Sequence, residues 1–329
     1  NCMKKQIENL KKHYINFFSQ VGYQQNKEVK ISSGIDKSVV FVGSTISVLK
    51  PKLLNDDIDN PGDFLIQRAI RTRGLKRIDI PEKNEWSSYF DASGILVPYA
   101  NLEKLVYDTI EFLNKIIGFD YENIMIRISS DDLDLIKSLR NINDKVLIEF
   151  DSKPQNYYKH KYGLQDMGIY GRNFNIAIRN VKDNKYKDIG NIIVIESNEK
   201  KYGAECAIGL NSILMRKLEL DTSIEASSVV DIYNVVSPED FKFADCLSVV
   251  SNLAYENVSS LSDRSPNYLY RKYLRHLFQW GDIMGISNDR IFEMIKDYIL
   301  LEYGDYEENI INSNVNKVLS RGGYKYGRK

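Results

Sequence analysis

The sequence predicts an α+β fold: an antiparallel or mixed sheet flanked by helices, followed by an all-helical domain. Two observations lead there. Up to about residue 235, strand-like apolar runs outnumber helical ones and do not alternate regularly with them, which disfavours a doubly wound parallel sheet. Beyond that point the apolar spacing becomes helical almost throughout. At 329 residues and 43% hydrophobic content, the chain can bury a sizeable core, and its length fits about two domains.

Taken in order, Ile7, Leu10, Tyr14, Phe17, Phe18 and Val21 recur at steps of three and four, one apolar stripe of a helix that ends near Gly22. Val39 to Val42 and Leu65 to Thr72 read as strands, and Tyr99 to Ile117 returns to the helical period. Strand candidates follow at Ile124 to Ile128, Val146 to Phe150, Phe174 to Ile178 and Ile192 to Glu196, then a helix from Gly209 to Leu220. Helices are expected over Pro238 to Tyr255, Pro266 to Trp280 and Asp289 to Tyr303, the first two opening with the proline that helix starts favour. The expected division is a first domain over 1–235, a helical domain over 236–312 and a basic, flexible tail over 313–329.

Charge and cysteine usage narrow the class. Lys+Arg and Asp+Glu both number 45, so no global field favours nucleic acid, membrane or acidic substrates, and any polyanion must be held by a local patch. Cys2, Cys206 and Cys246 are far apart and form no CxxC pair, which suits a reducing compartment and offers no zinc site. Apolar runs fall well short of the roughly 20 residues that span a bilayer, and the amphipathic start lacks the apolar stretch of a secretion signal. A soluble, cytoplasmic protein is expected. No P-loop, G-x-G-x-x-G after a strand, HExxH or G-x-S-x-G is present, and His13, His160 and His276 give a histidine-centred mechanism few candidates.

Three local clusters carry chemistry. Arg68, Arg71, Arg73, Lys76 and Arg77 place five cations in ten residues. On a strand Arg71 and Arg73 share a face, and Gly74 permits a turn. Guanidinium groups suit bidentate phosphate recognition, so a nucleotide-phosphate or RNA-phosphate clamp stands beside the plainer reading of an exposed, salt-bridged strand. The stretch from Tyr202 to Lys217 reads as strand, glycine turn and a helix starting near Gly209, whose N-terminus attracts anions, with Glu205 just before it able to bind an ammonium group. Arg271 and Arg275, four apart on one helix face with Lys272, Tyr270 and Tyr273 nearby, make either a basic, aromatic surface for an RNA stem or a plain solvated face.

In their order these pieces resemble alanyl-tRNA synthetase, a class II aminoacyl-tRNA synthetase. Tyr14 to Tyr23 looks like that family's first helix, and Val40 to Lys50 resembles its "LFTNAGMxQFK" segment. Gln67 to Gly74 is similar to the "SQxCxRAGG" of motif 2, and Asp188 to Asn198 resembles "EIWNLVFxQFN". Glu205-Cys-Ala-Ile-Gly209-Leu resembles the "DTGMGLER" of motif 3. Phe243-Ala-Asp-Cys, Asn257-Val and Tyr268 to Gly281 continue the series, the last resembling "YVLRRxxRRAVRHG". The likeness runs from about residue 5 to residue 305, each motif eroded.

The resemblance implies a truncated relative with catalytic and tRNA-binding-like middle domains only, lacking editing and dimerising regions. It implies ATP, with or without Mg2+, as the nucleotide, and ATP-dependent activation of a small amino acid as an adenylate. The acceptor would be tRNA, a carrier protein or an amine. The alternative is a catalytically silent relative that senses an amino acid or binds RNA or protein. Arg71 falls on the motif 2 arginine that contacts the α-phosphate, and Glu205 on the acid that binds the amino group. Asn191 falls on an asparagine of the amino-acid pocket, and Gly209 on the second glycine of motif 3. Arg271, Lys272 and Arg275 are the expected RNA contacts.

The departures are equally specific. Ser212 stands where the motif 3 arginine is expected and Asn211 where a glutamate precedes it, with Arg216 a helical turn further on and expected at the surface. The motif 2 loop is reduced to Leu75-Lys76-Arg77, the adenine-seating strand to Glu85 to Asp91, and the "DTGPCGPCSE" loop to Asp166 to Gly171. Ser262 stands where an asparagine reads the acceptor stem. Ordinary charging of tRNA with alanine is therefore not expected.

Overall fold

The computed structural model describes residues 2–161, 168–259 and 265–321. Helix α1, Met3–Gln20, buries Ile7, Leu10, Tyr14 and Phe18, the stripe that its spacing predicts. It ends at Gly22, whose φ of +103° is costly for any residue with a Cβ. Strand β1, Gln24–Gln25, precedes a long loop that leads to helix α2, Ile46–Leu54. Val39 to Val42 is not a strand. The Asp36 carboxylate accepts bonds from the Ser38 amide and hydroxyl and from Lys50, while the Val42 amide bonds Ile31 O at 2.9 Å, so local bonding holds the segment as a loop.

Strands β2, Asp63–Ile70, and β3, Tyr89–Val97, form the next hairpin-like pair. Helix α3, Leu102–Glu111, continues as a wider turn over Phe112–Ile116 and is followed by β4, Ile124–Ser129, helix α4, Leu133–Ser138, and β5, Leu147–Asp151. Then come β6, Lys159–Lys161, β7, Tyr170–Asn180, β8, Lys185–Glu196, β9, Lys201–Gly209, and helix α5, Leu210–Lys217. The chain closes with α6, Pro238–Tyr255, α7, Ser265–Ile283, α8, Asn288–Tyr303, and α9, Glu308–Arg321. Residues 313–321, read from sequence as part of a flexible tail, continue α9, which buries Ile311 and Val315 against the other helices; 322–329 lie outside the described residues.

The strands form one sheet in the order β1-β2-β3-β9-β8-β7-β4-β5, with β6 also paired to β7. All pairings are antiparallel except β1 with β2 and β4 with β5. The α+β class is thus the one expected. One face of the sheet packs under α1 and α3 around Phe64, Ile126, Ile176 and Ile192. On the other face α2 lies hard against β3: a Cβ on Gly94 would sit 1.8 Å from Thr45 Oγ1, so only glycine allows this approach. A separate apolar cluster joins α6, α7 and α8 to Ile70 and Tyr89 at the β2 and β3 ends, continuous across the expected 235/236 boundary.

Ionic contacts lock the helical part to the sheet. Glu302 of α8, only 2% exposed in its side chain, meets Lys4 Nζ of α1 at 3.0 Å. It also accepts from Ser228 Oγ, and its carbonyl accepts from Arg68 Nη2 of β2 at 3.3 Å. Arg68 in turn pairs with Glu28 at 2.6 Å and lies 4.5 Å above the Tyr303 ring, which stacks on Tyr255 at 3.7 Å. Beside this network Lys11 pairs with buried Asp91 at 3.0 Å. Burial alone would raise the Asp91 carboxyl, but Lys11, with Arg68 and Lys4 behind it, holds it below its ordinary value.

Removing one member of such a buried network leaves the others uncompensated. Glu302→Ala is therefore expected to lower stability by about 3–5 kcal/mol in urea unfolding, and a loss below about 1 kcal/mol would show that the network is solvated.

Candidate functional site

A cavity of about 720 Å³ opens on the α2 face of the sheet, across the ends of β2, β3, β9, β8 and β7. Arg71 sits just beyond the end of β2. Its amide donates to Ser88 O at 2.9 Å, which fixes the backbone across the hairpin, and its Nε donates to Gly43 O at 2.9 Å. The guanidinium stands 5.3 Å from the centre of the Phe90 ring on β3. Arg73 is also exposed on the cavity wall and has no ion-pair partner among the described residues. The sequence places Arg71 and Arg73 on a strand face; in the structure β2 stops at Ile70, and Arg73–Arg77 is a short 3₁₀ turn that brings both side chains to the rim.

Opposite, Gly209 caps the N-terminus of α5. Ser212, at the expected motif 3 arginine, lines the cavity with its hydroxyl. Asn211 is a brace: its side chain accepts the Asp91 amide at 2.7 Å and donates to Ala226 O at 2.9 Å, tying α5 to β3. Arg216 is not at the surface as expected. It is 8% exposed, reaches Glu85 at 2.6 Å and Asp188 O at 3.3 Å, and lies 5.7 Å from the Trp86 ring, so that α5 holds the β2–β3 loop down. Arg77 is engaged likewise, pairing with Glu82 at 2.7 Å.

Arg71, Asn191 and Gly209, scattered along the chain, all line this cavity. Glu205 does not reach its wall. It lies on the same face of β9 as Ala207 and Gly209, one side-chain row deeper, with Ile193 and Leu96 as its register partners, and is 2% exposed. Arg271, Lys272 and Arg275 are half-buried on α7, away from the cavity, with the Arg271 guanidinium 6.0 Å from the Tyr268 ring. Helix α7 meets the cavity instead through Tyr273, whose hydroxyl donates to Ser88 Oγ at 3.0 Å. Asp166 and Ser262 lie outside the described residues.

The sequence reading did not single out Phe90, Asn175 or Asp245 as site residues, although Phe90 falls in the stretch Glu85 to Asp91 and Asp245 in Phe243-Ala-Asp-Cys; all three line the cavity. Asp245 is buried, with its carboxylate accepting the Ser88 amide and hydroxyl at 2.7 Å each. Burial pushes its carboxyl up, opposed by those two bonds and by Lys242. Asn175 had a legible signal: Asn173 and Asn175 alternate with buried Phe174 and Ile176, the period-2 pattern of a strand with a polar face. Among the described residues no group of three or more His, Cys, Asp or Glu is arranged to hold a metal ion, and no helix is long and apolar enough to cross a membrane.

The chain matches no protein-family model and no curated protein. Solved structures similar to it include the RNA binding domain of threonyl-tRNA synthetase from Cryptosporidium parvum Iowa II, at 10% identity and a TM-score of 0.40. Aspartyl-tRNA synthetase from Entamoeba histolytica is similar at 12% and 0.41, and apo S. aureus histidyl-tRNA synthetase at 10% and 0.38. These matches cover 64%, 69% and 66% of this chain and 64%, 57% and 71% of those chains, so the chain spans less than two thirds of the first two.

Because the folded-state pKa of Asp245 is raised, its protonated form is the one the fold prefers, and stability is lost as pH rises through that value. The wild type is therefore expected to gain stability relative to Asp245→Asn as pH falls from neutral toward 4, read from urea midpoints; a gain in the opposite direction would contradict this assignment.

Proposed function

We propose that this chain is a class II synthetase-like protein that activates a small amino acid with ATP and passes it to tRNA or another acceptor, a carrier protein or an amine. The supporting observation is the convergence of Arg71, Asn191 and Gly209 on one cavity, with Phe90 beside the arginine. In adenylate formation the amino-acid carboxylate attacks the α-phosphorus, a bond to oxygen forms, and pyrophosphate leaves. Charge builds on the α-phosphate oxygens, and a preorganised guanidinium at Arg71 answers that demand. Arg73, with no carboxylate partner among the described residues, is available for the leaving phosphates. Phe90 offers a flat apolar face to adenine.

A second reading is favoured by a specific observation. By the resemblance Ser212 stands where a phosphate-clamping arginine is expected, and of Lys76, Arg77 and Arg216, the cations that would compensate, the two arginines are already paired with Glu82 and Glu85, which leaves Arg73 and Lys76 to do so. A protein that holds an amino acid without activating it fits those facts.

Amino-acid-dependent pyrophosphate exchange across the twenty amino acids separates the two. The ligase reading expects exchange with at least one amino acid, reduced about 10²–10³-fold by Arg71→Ala. ATP binding without exchange supports the silent reading, and neither binding nor exchange overturns the ligase. For tRNA as acceptor, charge reversal at Arg271 and Arg275 is expected to weaken tRNA binding and flatten its salt dependence in filter-binding titrations; unchanged affinity at low salt would remove tRNA as the acceptor.

A further inference from the structure

Within the same cavity, and resting on the reading of it as an amino-acid site, we infer that the amino acid bound carries a neutral hydrogen-bonding side chain, a hydroxyl or carboxamide, and that Asn175 selects it. Asn175 of β7 and Asn191 of β8 are register partners, so their side chains stand about 5 Å apart on the cavity floor. The two amides do not bond each other. Asn173 donates to Asn175 Oδ1 at 2.8 Å, which commits one lone pair of that oxygen and leaves the amino group of this cavity-lining residue as a donor with no bond to the described residues. Asn191 adds a second amide with no bond to the described residues, able to donate and accept.

Seating a methyl group here would strip water from both amides and return nothing, because a half-buried polar group left without a partner costs more than a hydrogen bond gains. A ligand oxygen placed between them replaces that water. The nearest charges bear on which oxygen: Asp188 lines the same cavity, paired on one side with Arg127 at 3.0 Å, and Glu205 lies in the next row of the floor, while Arg71 and Arg73 stand at the rim, so a carboxylate side chain seated between the two amides would meet like charge from the floor. A neutral hydroxyl or carboxamide satisfies both constraints, and sites built to hydrogen-bond a substrate reject analogues that lack the group.

The test is calorimetric titration of the whole protein, with ATP present, against serine, threonine, asparagine and glutamine on one side and alanine, glycine and aspartate on the other. At least one of the first group is expected to bind about tenfold or more tightly than alanine. Asn175→Leu, which keeps the shape but removes the hydrogen-bonding groups, and Asn175→Ala are both expected to bring that ratio to within about threefold, with thermal melts reporting that each variant folds. Alanine or aspartate binding as tightly as the best of the first group overturns the inference while leaving the amino-acid site standing, as does a ratio unmoved in both variants. If ATP binds and no amino acid does, or neither binds, the reading of the cavity falls and this inference with it.

Discussion

The buried ionic network around Glu302 governs how the rest of the molecule can be arranged. A carboxylate this deeply enclosed is tolerable only if cations reach it from fixed directions, and they come from α1 through Lys4 and from β2 through Arg68. That requirement sets where the end of α8 meets the sheet. Arg68 lies three residues before Arg71 on the same run of chain, so the packing of the helical part also fixes the root of the side chain that faces the cavity. The Lys11 and Asp91 pair does the same from the neighbouring strand, and Asn211 links Asp91 onward to α5.

The cavity is consequently held from several sides by hydrogen bonds and ion pairs. Tyr273 and Asp245 brace Ser88, Ser88 fixes Arg71, and Arg216 pins Glu85 and the loop that carries Arg73. The basic cluster that stands out in the sequence is therefore divided in purpose. Arg68 joins the sheet to the helices, Arg77 is tied to Glu82, and Arg71 and Arg73 remain facing the cavity.

Much of the fold was legible in the sequence because it follows from periodicity. The stripe of α1, the buried apolar strands β4, β7 and β8, the more exposed edge strand β5, and the proline-started α6 all express local pattern directly. Val39 to Val42 misled because β-branched residues there are held by side-chain bonds from Asp36 to its own loop, which no period records. Arg216 misled for a related reason: its burial depends on Glu85 and Trp86, more than a hundred residues away. The convergence of Arg71, Asn191 and Gly209 could be anticipated only through resemblance, since strand order β3-β9-β8 is not written in local spacing. The depth of Glu205 was illegible because one row along a strand separates a wall from the floor beneath it.

Two glycines of the sheet constrain how such a cavity can change over generations. A single methyl at Gly94 would strike Thr45, and one at Gly190 would come within 2.3 Å of the Ala207 carbonyl and 2.7 Å of Ile208, so neither position can take a side chain without the sheet giving way. Novelty in this site has to enter through the loop between β2 and β3 at its rim and the polar face of β7 on its floor, while those two glycines stay bare.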